Sequence, residues 1–348
     1  MAKVFVGLSG GVDSAVSAAL LKQEGYEVVG CFIKIWQPEF WECTWRDDRL
    51  DAMRVAAALE IPFREVDLSQ EYKSEVVNSM VADYQRGITP NPDVLCNSHI
   101  KFGHFLEWAK REGADLIATG HYARKGESEN GPVLLRGVDP KKDQSYFLWQ
   151  IGKKELAHVL FPVGGYTKVH IRALAKKFRL PNAEKPDSQG LCFVGDVSMR
   201  DFLGRYIQLT PGDVVDGGGV VVGRHEGTAL YTIGQRHGFV VHNTSAQGAS
   251  HHVVALDTAK NTITVSENRA DAAQNSVTLT DVHWINGVPP LHSKVEVQTR
   301  YRETPIRVQL EKENEAVRVT FEEPHIVSPG QSLVVYEGQR CLGGGVIL

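Results

Sequence analysis

The feature that most constrains this chain is the turn after its first apolar run. Residues 4–8 read Val-Phe-Val-Gly-Leu, and residues 9–14 read Ser-Gly-Gly-Val-Asp-Ser, just before an Ala-rich amphipathic segment. Two adjacent glycines let a backbone turn sharply and bring its N–H groups close to a ligand. Together with the positive end of a following helix, such N–H groups bind phosphate. The pattern therefore predicts a strand, a phosphate-binding turn and a helix.

This turn differs from two common nucleotide-binding loops. It lacks the G-x-x-x-x-G-K-[ST] spacing and lysine of the P-loop, and it is not the G-x-G-x-x-G dinucleotide turn. It resembles the SGGxDS signature of the PP-loop ATP pyrophosphatases, which split ATP between its α and β phosphates. The resemblance implies ATP as a cofactor, bound by Gly7, Leu8, Ser9, Gly10, Gly11, Val12, Asp13 and Ser14. The carboxylate of Asp13 can also hold Mg²⁺, whereas a glycine-rich turn without a ligand is the alternative interpretation.

The size and composition of the chain are typical of a multidomain globular protein. Its 348 residues exceed one ordinary domain, and 42% of them are hydrophobic and 23% charged. The net charge of −4 predicts that any RNA contact uses local basic patches. No apolar stretch approaches the length of a membrane span, and the first strand leaves no room for a signal peptide, so we expect a cytoplasmic location.

The two halves of the chain differ in texture. Up to about residue 125, strand-like apolar runs alternate with helical stretches, which predicts a mostly parallel, doubly wound sheet. Beyond about residue 204, glycine clusters and short alternating runs predict mainly strands. The predicted fold class is α/β followed by β: an adenine nucleotide alpha hydrolase-like PP-loop domain, a small mostly β domain and a C-terminal β-barrel. The expected domain boundaries are 1–200, 201–270 and 271–348.

A polar loop at residues 89–97 carries the most reactive side chains. Its sequence is TPNPDVLCN, and the two prolines predict a rigid, extended approach. The pattern places Cys96 at the start of a helix over residues 98–112, where the helix dipole favours the thiolate. Asp93 lies three residues earlier, close enough to exchange a proton with the same substrate. A buried structural cysteine beside a helix cap is the alternative interpretation.

Several strings, taken together, resemble one enzyme family. In chain order they are SGGVDS, NPDVLCN followed by IKF, ATGHYAR, KKDQSYFL, GLCFVGD, YTIGQRHG and RYR, spread over nearly the full length. The chain thereby resembles the tRNA-specific 2-thiouridylase (MnmA/TrmU) family. The resemblance implies a transferase that activates O2 of the wobble uridine, position 34 of tRNA, with ATP. Sulfur from a cysteine persulfide then replaces that oxygen, and AMP and pyrophosphate are released.

The resemblance also implies roles for individual residues. Cys192 would carry the persulfide and Cys96 would be the nucleophile that resolves it, which makes Cys96–Cys192 a redox pair. Asp93 would act as an acid or base, or as a contact to the base. Ile33 and Gly120 would approach ATP. The implied tRNA contacts are Asn91, Pro92, Asp93, His121, Lys142, Asp143, Gln144, Arg300, Tyr301 and Arg302.

Support for an RNA partner that is independent of the resemblance is weaker. Residues 168–179 hold five basic residues and no acid, which fits a helix that neutralises phosphates but fits a solvated helix face equally well. The string Arg300-Tyr301-Arg302 sets an aromatic ring between two cations, an arrangement suited to stacking on an unpaired base. The resemblance implies tRNAs of the Lys, Glu and Gln type as partners, with a cysteine desulfurase or a sulfur-relay protein as sulfur source.

Two alternatives stay open at this point. A PP-loop enzyme could adenylate a small metabolite instead of tRNA. Thiolation could also proceed through a [4Fe–4S] cluster held by Asp93, Cys96 and Cys192 with one iron left open. The remaining cysteines, Cys31, Cys43 and Cys341, have no comparable sequence context and are expected to be structural.

Overall fold

The computed structural model of the protein describes residues 1–39, 45–187, 198–242, 250–289, 295–313 and 315–348. Three sheets organise these residues. Two of the cysteines considered above, Cys43 and Cys192, lie outside the described residues. Across the described ranges, no helix has the length and apolar character needed to cross a membrane.

The first sheet is parallel throughout and has the first strand at its centre. Its strand order is β3-β2-β1-β4-β7. These strands are β1 Lys3–Gly7, β2 Glu27–Lys34, β3 Phe63–Asp67, β4 Leu116–Ala118 and β7 Val159–Leu160. The chain adds β2 and β3 on one side of β1, and β4 and β7 on the other. Ligands of such sheets bind where the strand order reverses, beyond the carboxyl ends of the strands, which here means beyond β1 and β4.

Helices cover both faces of this sheet. They are α1 Val12–Gln23, α2 Trp45–Ala58, α3 (Ser69–Tyr72, Lys73–Val77 and Asn78–Gln85), α4 (Pro92–Leu95, Cys96–His104 and Phe105–Arg111), α5 Lys153–Leu156, α6 Lys168–Lys177 and α7 Met199–Leu203. Successive side chains of a strand point to opposite faces. Val4 and Val6 accordingly share one core with Ile171 of α6, whereas Phe5 shares the other with Phe105 of α4.

The second sheet also has five strands and is mostly antiparallel. Its order is β10-β9-β8-β12-β11. The strands are β8 Gly212–Val215, β9 Val221–His225, β10 Val240–Val241, β11 His252–Asp257 and β12 Thr262–Ser266. Alternate residues of these strands, such as Val214, Val253 and Ile263, form its own buried cluster.

The third sheet closes into a six-stranded antiparallel barrel. Its strands are β13 Ala273–Trp284, β14 Val295–Gln298, β15 Ile306–Glu313, β16 Ala316–Ile326, β17 Ser332–Glu337 and β18 Arg340–Ile347. The first and last strands pair, with Leu279 opposite Ile347, and this pairing completes the ring. A hairpin of the first domain, β5 Ala123–Ser128 and β6 Gly131–Arg136, extends the same sheet through the pairing of Cys341 with Leu134.

Buried aromatic side chains also fix the barrel to the first domain. They lie in and beside the short 3-10 turn Ser145–Leu148. Tyr146 donates its hydroxyl to the carbonyl of Ser332 at 2.8 Å, and Trp149 donates its indole N–H to the hydroxyl of the same residue at 3.0 Å. Because these polar atoms are buried, losing one partner would leave the other unsatisfied. Val334, Tyr336 and Cys341 of the barrel accordingly belong to the same buried cluster as Phe5 and Phe105 of the first domain.

The predicted fold class is confirmed in all three parts of the chain. The prediction that a helix begins at residue 98 is wrong, because α4 begins at Pro92. Proline lacks an N–H and has a preset φ, and both properties suit the first position of a helix. Pro92 therefore starts the helix, and Pro90 stiffens the approach to it. The β5–β6 hairpin was not predicted, since its polar sequence carries no strand pattern and its pairing with β18 is long-range.

Candidate active site

The glycine-rich turn joins β1 to α1 and is closed by its serines. Gly10 has φ +74°, and a Cβ atom there would lie 2.5 Å from the carbonyl oxygen of Asp48, so the position requires glycine. The hydroxyl of Ser14 accepts a bond from the backbone N–H of Ser9 at 3.2 Å and donates to the carbonyl of Gly11 at 3.1 Å. These bonds hold the turn against the N-terminus of a twelve-residue helix.

The turn after β4, which contains Gly120, packs against the glycine-rich turn. A Cβ atom on Gly120 would lie 2.7 Å from the backbone N of Ser14 and 2.9 Å from the carbonyl carbon of Asp13. The two strand ends therefore meet at the point where the strand order reverses.

Two other residues predicted to bind ATP, Leu8 and Val12, are only 2% and 4% exposed, so any contact they make uses their backbone.

Ile33 lies on the neighbouring strand end, beside Gly7. A Cβ atom on Gly7 would lie 3.6 Å from Cδ1 of Ile33 and 3.8 Å from the ring of Phe105. The end of β1 is thus packed between β2 and α4. The structure brings all the residues predicted to bind ATP to this one edge of the sheet.

The carboxylate of Asp13 is paired with a lysine. Nζ of Lys168 lies 2.7 Å and 2.9 Å from its two oxygens, and Tyr122 donates its hydroxyl to Oδ1 at 2.8 Å. Burial and the Asp13 charge raise the pKa of Tyr122, so this hydroxyl stays protonated. Among the described residues, no group of three or more Asp, Glu, His or Cys side chains could hold a metal ion. A Mg²⁺ ion at the lone carboxylate of Asp13 would take its other ligands from nucleotide phosphates and water, and this role of Asp13 stays a prediction.

The same lysine also contacts Asp187, which has two further cationic partners. Lys168 Nζ and an Arg172 nitrogen each lie 2.7 Å from Oδ1 of Asp187, and Lys142 Nζ lies 2.7 Å from Oδ2. Burial would raise the pKa of Asp187, but hydrogen bonds from Lys142 and Lys168 outweigh it and lower this pKa to about 2. The sequence did not predict this cluster, and Lys142, predicted to contact tRNA, is part of it.

The positions of the reactive residues along helix α4 differ from those predicted. Asn91 immediately precedes the helix, and Asp93 lies in its first turn. Cys96 is in the second turn, where it begins the π-helical stretch Cys96–His104, and it is 4% exposed. Segments of π-helix are rare and often occur at functional sites. Burial of this degree is, however, also what the structural-cysteine interpretation predicts.

A positive charge links this helix to the turn after β4. Lys101 donates from Nζ to Oδ1 of Asn97 at 3.0 Å. Burial raises the pKa of Asp93, and the charge of Lys101 opposes part of that rise. Burial and the same charge lower the pKa of His121 well below 6.5; this ring is 8% exposed and bonds to the hydroxyl of Thr119 at 2.8 Å. His121 is therefore a neutral, enclosed imidazole.

Sequence reasoning missed Lys101, although a signal was present. Asn97 and Lys101 are four residues apart, so they lie on one face of any helix through this segment. In a π-helical stretch the residue five positions earlier, Cys96, also comes near that face. The lysine thus belongs with Asp93 and Cys96 in the candidate site.

The other residues of the KDQ string are built into the fold. Asp143 is 9% exposed, pairs with Arg136 at 3.2 Å and accepts a bond from the backbone N–H of Gly137 at 2.9 Å. Gln144 accepts a bond from the backbone N–H of Tyr122 at 2.9 Å. Gln144 thereby supports Tyr122, which donates to Asp13, whereas Asp143 stabilises the backbone around Gly137. Their predicted contact with tRNA stays a prediction.

The predicted stacking residues lie at the junction between the barrel and the β5–β6 hairpin. A cleft of about 510 Å³ opens there, lined in part by Tyr301 and Arg302. The guanidinium of Arg302 lies 4.9 Å from the ring centre of Tyr301, and this ring also packs against Phe147 at 4.6 Å and Tyr146 at 6.5 Å. Arg300 points elsewhere and donates to the carbonyl of Ile233 at 3.3 Å. The other basic residues that line the cleft are Arg124 and Arg136.

Two further cysteines are core residues. Cys31 in β2 and Cys341 in β18 are fully buried. Burial raises the pKa of both thiols, that of Cys341 to about 12, so neither forms a thiolate at neutral pH. The predicted Cys96–Cys192 pair cannot be placed, since Cys192 is outside the described residues.

Comparison with known proteins covers nearly the whole chain. Three family models match it: the tRNA methyl transferase HUP domain over residues 2–196, the tRNA methyl transferase PRC-barrel domain over 200–267 and the Aminomethyltransferase beta-barrel domain over 274–347. The tRNA-specific 2-thiouridylase MnmA of Nitrosomonas europaea is 44% identical over 355 residues, which is 99% of this chain and 98% of that protein. The protein of the same name from Pasteurella multocida is 42% identical, covering 99% of this chain and 92% of its own length.

Solved structures align less closely. The U34-tRNA thiolase NcsA from Methanococcus maripaludis with its [4Fe-4S] cluster has a TM-score of 0.36 and 19% identity, over 60% of this chain and 65% of that one. A likeness at this level says nothing about the site.

Proposed function

The chain belongs to the tRNA-specific 2-thiouridylase family, and from this premise we propose that it carries out ATP-dependent 2-thiolation of the wobble uridine, position 34, of tRNA. The observation that carries the proposal is the match to 2-thiouridylases over 99% of the chain at 44% identity. The junction of the glycine-rich turn with Gly120 supports it, because it forms the edge at which a nucleotide binds in sheets of this kind.

The first step is adenylation of the uridine. O2 attacks the α-phosphorus of ATP, the bond to the bridging oxygen breaks, and pyrophosphate leaves with the electron pair. The turn of residues 8–11, with Asp13 and Ser14, lies at the N-terminus of α1, where backbone N–H groups and the helix dipole stabilise phosphate charge. Because Asp13 is paired with Lys168, we propose that Mg²⁺ arrives with the nucleotide as MgATP.

The second step is sulfur transfer. We assign the persulfide to Cys192 and the resolving thiolate to Cys96. The terminal sulfur of the persulfide forms a bond to C2, and AMP leaves with the oxygen. Attack of Cys96 on Sγ of Cys192 frees the transferred sulfur and leaves a disulfide, which two electrons from a reductant reopen. Alternatively, Cys96 releases hydrogen sulfide, which attacks the adenylated base.

Asn91, Pro92 and Asp93 are proposed to read the uridine. O2 is not accessible for chemistry in a stacked anticodon, so the base must be flipped out. The burial that raises the pKa of Asp93 suits a carboxyl group that exchanges a proton during the reaction. His121 is a neighbour that can contact the base only as a neutral ring.

The remainder of the tRNA is proposed to contact Lys142, Asp143, Gln144, Arg300, Tyr301 and Arg302. The cleft beside Tyr301 and Arg302 supports this part of the assignment, because its lining includes arginine cations and the half-buried ring of Tyr301. We further propose tRNAs for Lys, Glu and Gln as substrates, a cysteine desulfurase or relay protein as sulfur donor, a cytoplasmic location, and domains over 1–200, 201–270 and 271–348.

The alternatives are less well supported. Membership of a tRNA-modifying family argues against adenylation of a small metabolite. A [4Fe–4S] cluster would need Cys192, which lies outside the described residues, as a third ligand beside Asp93 and Cys96, so this alternative is left to experiment. Brown colour with visible absorbance in anaerobically purified protein would favour the cluster.

The proposed function is tested with unmodified tRNA-Glu transcript, ATP, Mg²⁺ and a cysteine desulfurase with cysteine as persulfide source, under anaerobic conditions. Digested nucleosides are analysed by mass spectrometry for 2-thiouridine, and AMP is quantified in parallel. We expect equal amounts of both. Cys96→Ser should still release AMP but form no 2-thiouridine, whereas Cys31→Ala, which alters a core cysteine, should form both. Absence of AMP with wild-type protein would contradict the proposal.

A further inference from the structure

The cluster around Asp187 concentrates more positive charge on one carboxylate than an ordinary ion pair requires. Lys142, Lys168 and Arg172 all have a nitrogen 2.7 Å from an Asp187 oxygen. Their side chains are 14–29% exposed, so water screens them only in part. A carboxylate held by three cations occupies the kind of environment in which proteins bind phosphate.

This cluster lies beside the glycine-rich turn. Lys168 bridges it to Asp13, the second residue of α1. The segment that leads to Asp187 is also held over the turn, because Asn182 donates from Nδ2 to the carbonyl of Gly10 at 2.9 Å. The three cations are therefore at the mouth of the proposed ATP site.

A second observation is an unpaired buried acceptor beside the glycine-rich turn. Asn182 is 6% exposed, and its Oδ1 has no hydrogen-bond partner among the described residues. Its orientation is fixed, since Nδ2 is committed to Gly10. Buried acceptors are rarely left unpaired in folded proteins. A donor from a bound molecule, such as a ribose hydroxyl or a water of a hydrated phosphate, would satisfy this oxygen.

We propose that Lys142, Lys168 and Arg172 bind the pyrophosphate portion of ATP, and that Asp187 takes its place when no nucleotide is bound. Lys142 would then lie between the pyrophosphate and the tRNA that we also propose it contacts. The inference rests on the proposed function, which supplies ATP as substrate. The three cations would stabilise the charge that develops on pyrophosphate as the bond to the α-phosphorus breaks. Asp187 is then an internal competitor, which lowers the affinity for nucleotide and for released pyrophosphate.

Removal of the competitor distinguishes this proposal from a purely structural role. Asp187→Asn keeps the size of the side chain but removes its charge. If the three cations bind pyrophosphate, Asp187→Asn binds it more tightly than wild type. If the cluster only anchors residues 183–187, Asp187→Asn lowers thermal stability and leaves pyrophosphate affinity unchanged or weaker.

The test is calorimetric titration of the full-length protein with inorganic pyrophosphate at fixed ionic strength. We expect roughly five- to tenfold tighter binding for Asp187→Asn and at least tenfold weaker binding for Lys168→Met. Lys176→Met is the matched control, because Lys176 lies on the same helix and pairs with the exposed Glu184 at 2.9 Å. Its affinity should equal that of wild type. Equal affinities for wild type and Asp187→Asn would overturn the proposal.

Two further measurements show whether the variants are folded and whether the proposed tRNA reaction takes place. Thermal unfolding with and without pyrophosphate shows whether Lys168→Met is folded, and Arg172→Lys provides a milder second variant. The AMP assay with tRNA reports on the proposed function separately. Tighter pyrophosphate binding by Asp187→Asn, in a protein that forms no AMP with tRNA, would support the anion site and contradict the tRNA reaction.

Discussion

Gln331 of the barrel holds the backbone of Thr89, two residues before Asn91. Its Nε2 donates to the carbonyl of Thr89 at 2.8 Å and to that of Pro90 at 3.1 Å. The hydroxyl of Thr89 also bonds to that of Thr232, in the second domain, at 2.9 Å. The approach to α4 is thus fixed by both β domains. We infer that the barrel positions the reactive helix as well as offering surface to tRNA.

Gly330→Val should displace this approach. Gly330 has φ +86°, and a Cβ atom there would lie 2.1 Å from Cγ2 of Ile88 and 2.8 Å from the carbonyl oxygen of Thr89. We expect at least a tenfold fall in thiolation rate, because misplacing reactive groups by about 1 Å can cost about a hundredfold in rate. The control is Gly338→Ala, where φ is also positive at +56° but nothing lies within 4 Å. A Gly330→Val protein with normal thiolation would show that the loop position is not critical.

Gly120→Val should block the nucleotide site. Its Cβ would come within 2.7 Å of the backbone N of Ser14, and backbone at this distance must move. We expect AMP formation to fall at least tenfold, as misplacement of a phosphate-binding turn removes several N–H contacts together. Binding of tRNA, measured by filter retention, should change little. Gly165→Ala, in open space, is the control. Normal AMP formation by Gly120→Val would place the nucleotide elsewhere.

Lys101→Met should reveal whether its charge serves the reaction. The charge of Lys101 opposes the rise that burial causes in the pKa of Asp93, so its removal should raise that pKa further. If Asp93 acts in its ionised form, the acidic limb of the pH–rate profile for thiolation shifts to higher pH. We expect a ten- to hundredfold lower rate at neutral pH, on the scale of general acid–base effects. Lys110→Met, exposed at the end of the same helix, is the control. An unshifted profile with normal rate would exclude Lys101 from the site.

The difference between what the sequence predicted and what it missed follows from the range of the interactions. The turn of residues 9–14 and the doubly wound sheet depend on glycine conformation and on apolar periodicity, which are local properties. The pairing of Asp13 with Lys168 joins positions 155 residues apart, and no local pattern encodes it. The first turn of α4 was missed because proline is a helix breaker in most positions and a good first residue in one. Lys101 could have been found from its spacing to Asn97.

The buried imidazole of His121 should make the stability of the protein depend on pH. Its pKa in the folded state lies well below 6.5, whereas an unfolded histidine titrates near 6.5. Below about pH 6.5 the unfolded state therefore binds a proton that the folded state does not, and stability falls with decreasing pH by up to about 1.4 kcal/mol per unit. We expect the melting temperature of wild type to fall more between pH 7.5 and pH 5.5 than that of His121→Gln, in which this term is absent. The other histidines are common to both proteins, so they cancel in the comparison. Equal decreases would mean that His121 takes up its proton in the folded protein, and therefore that the ring reaches solvent or an acidic partner.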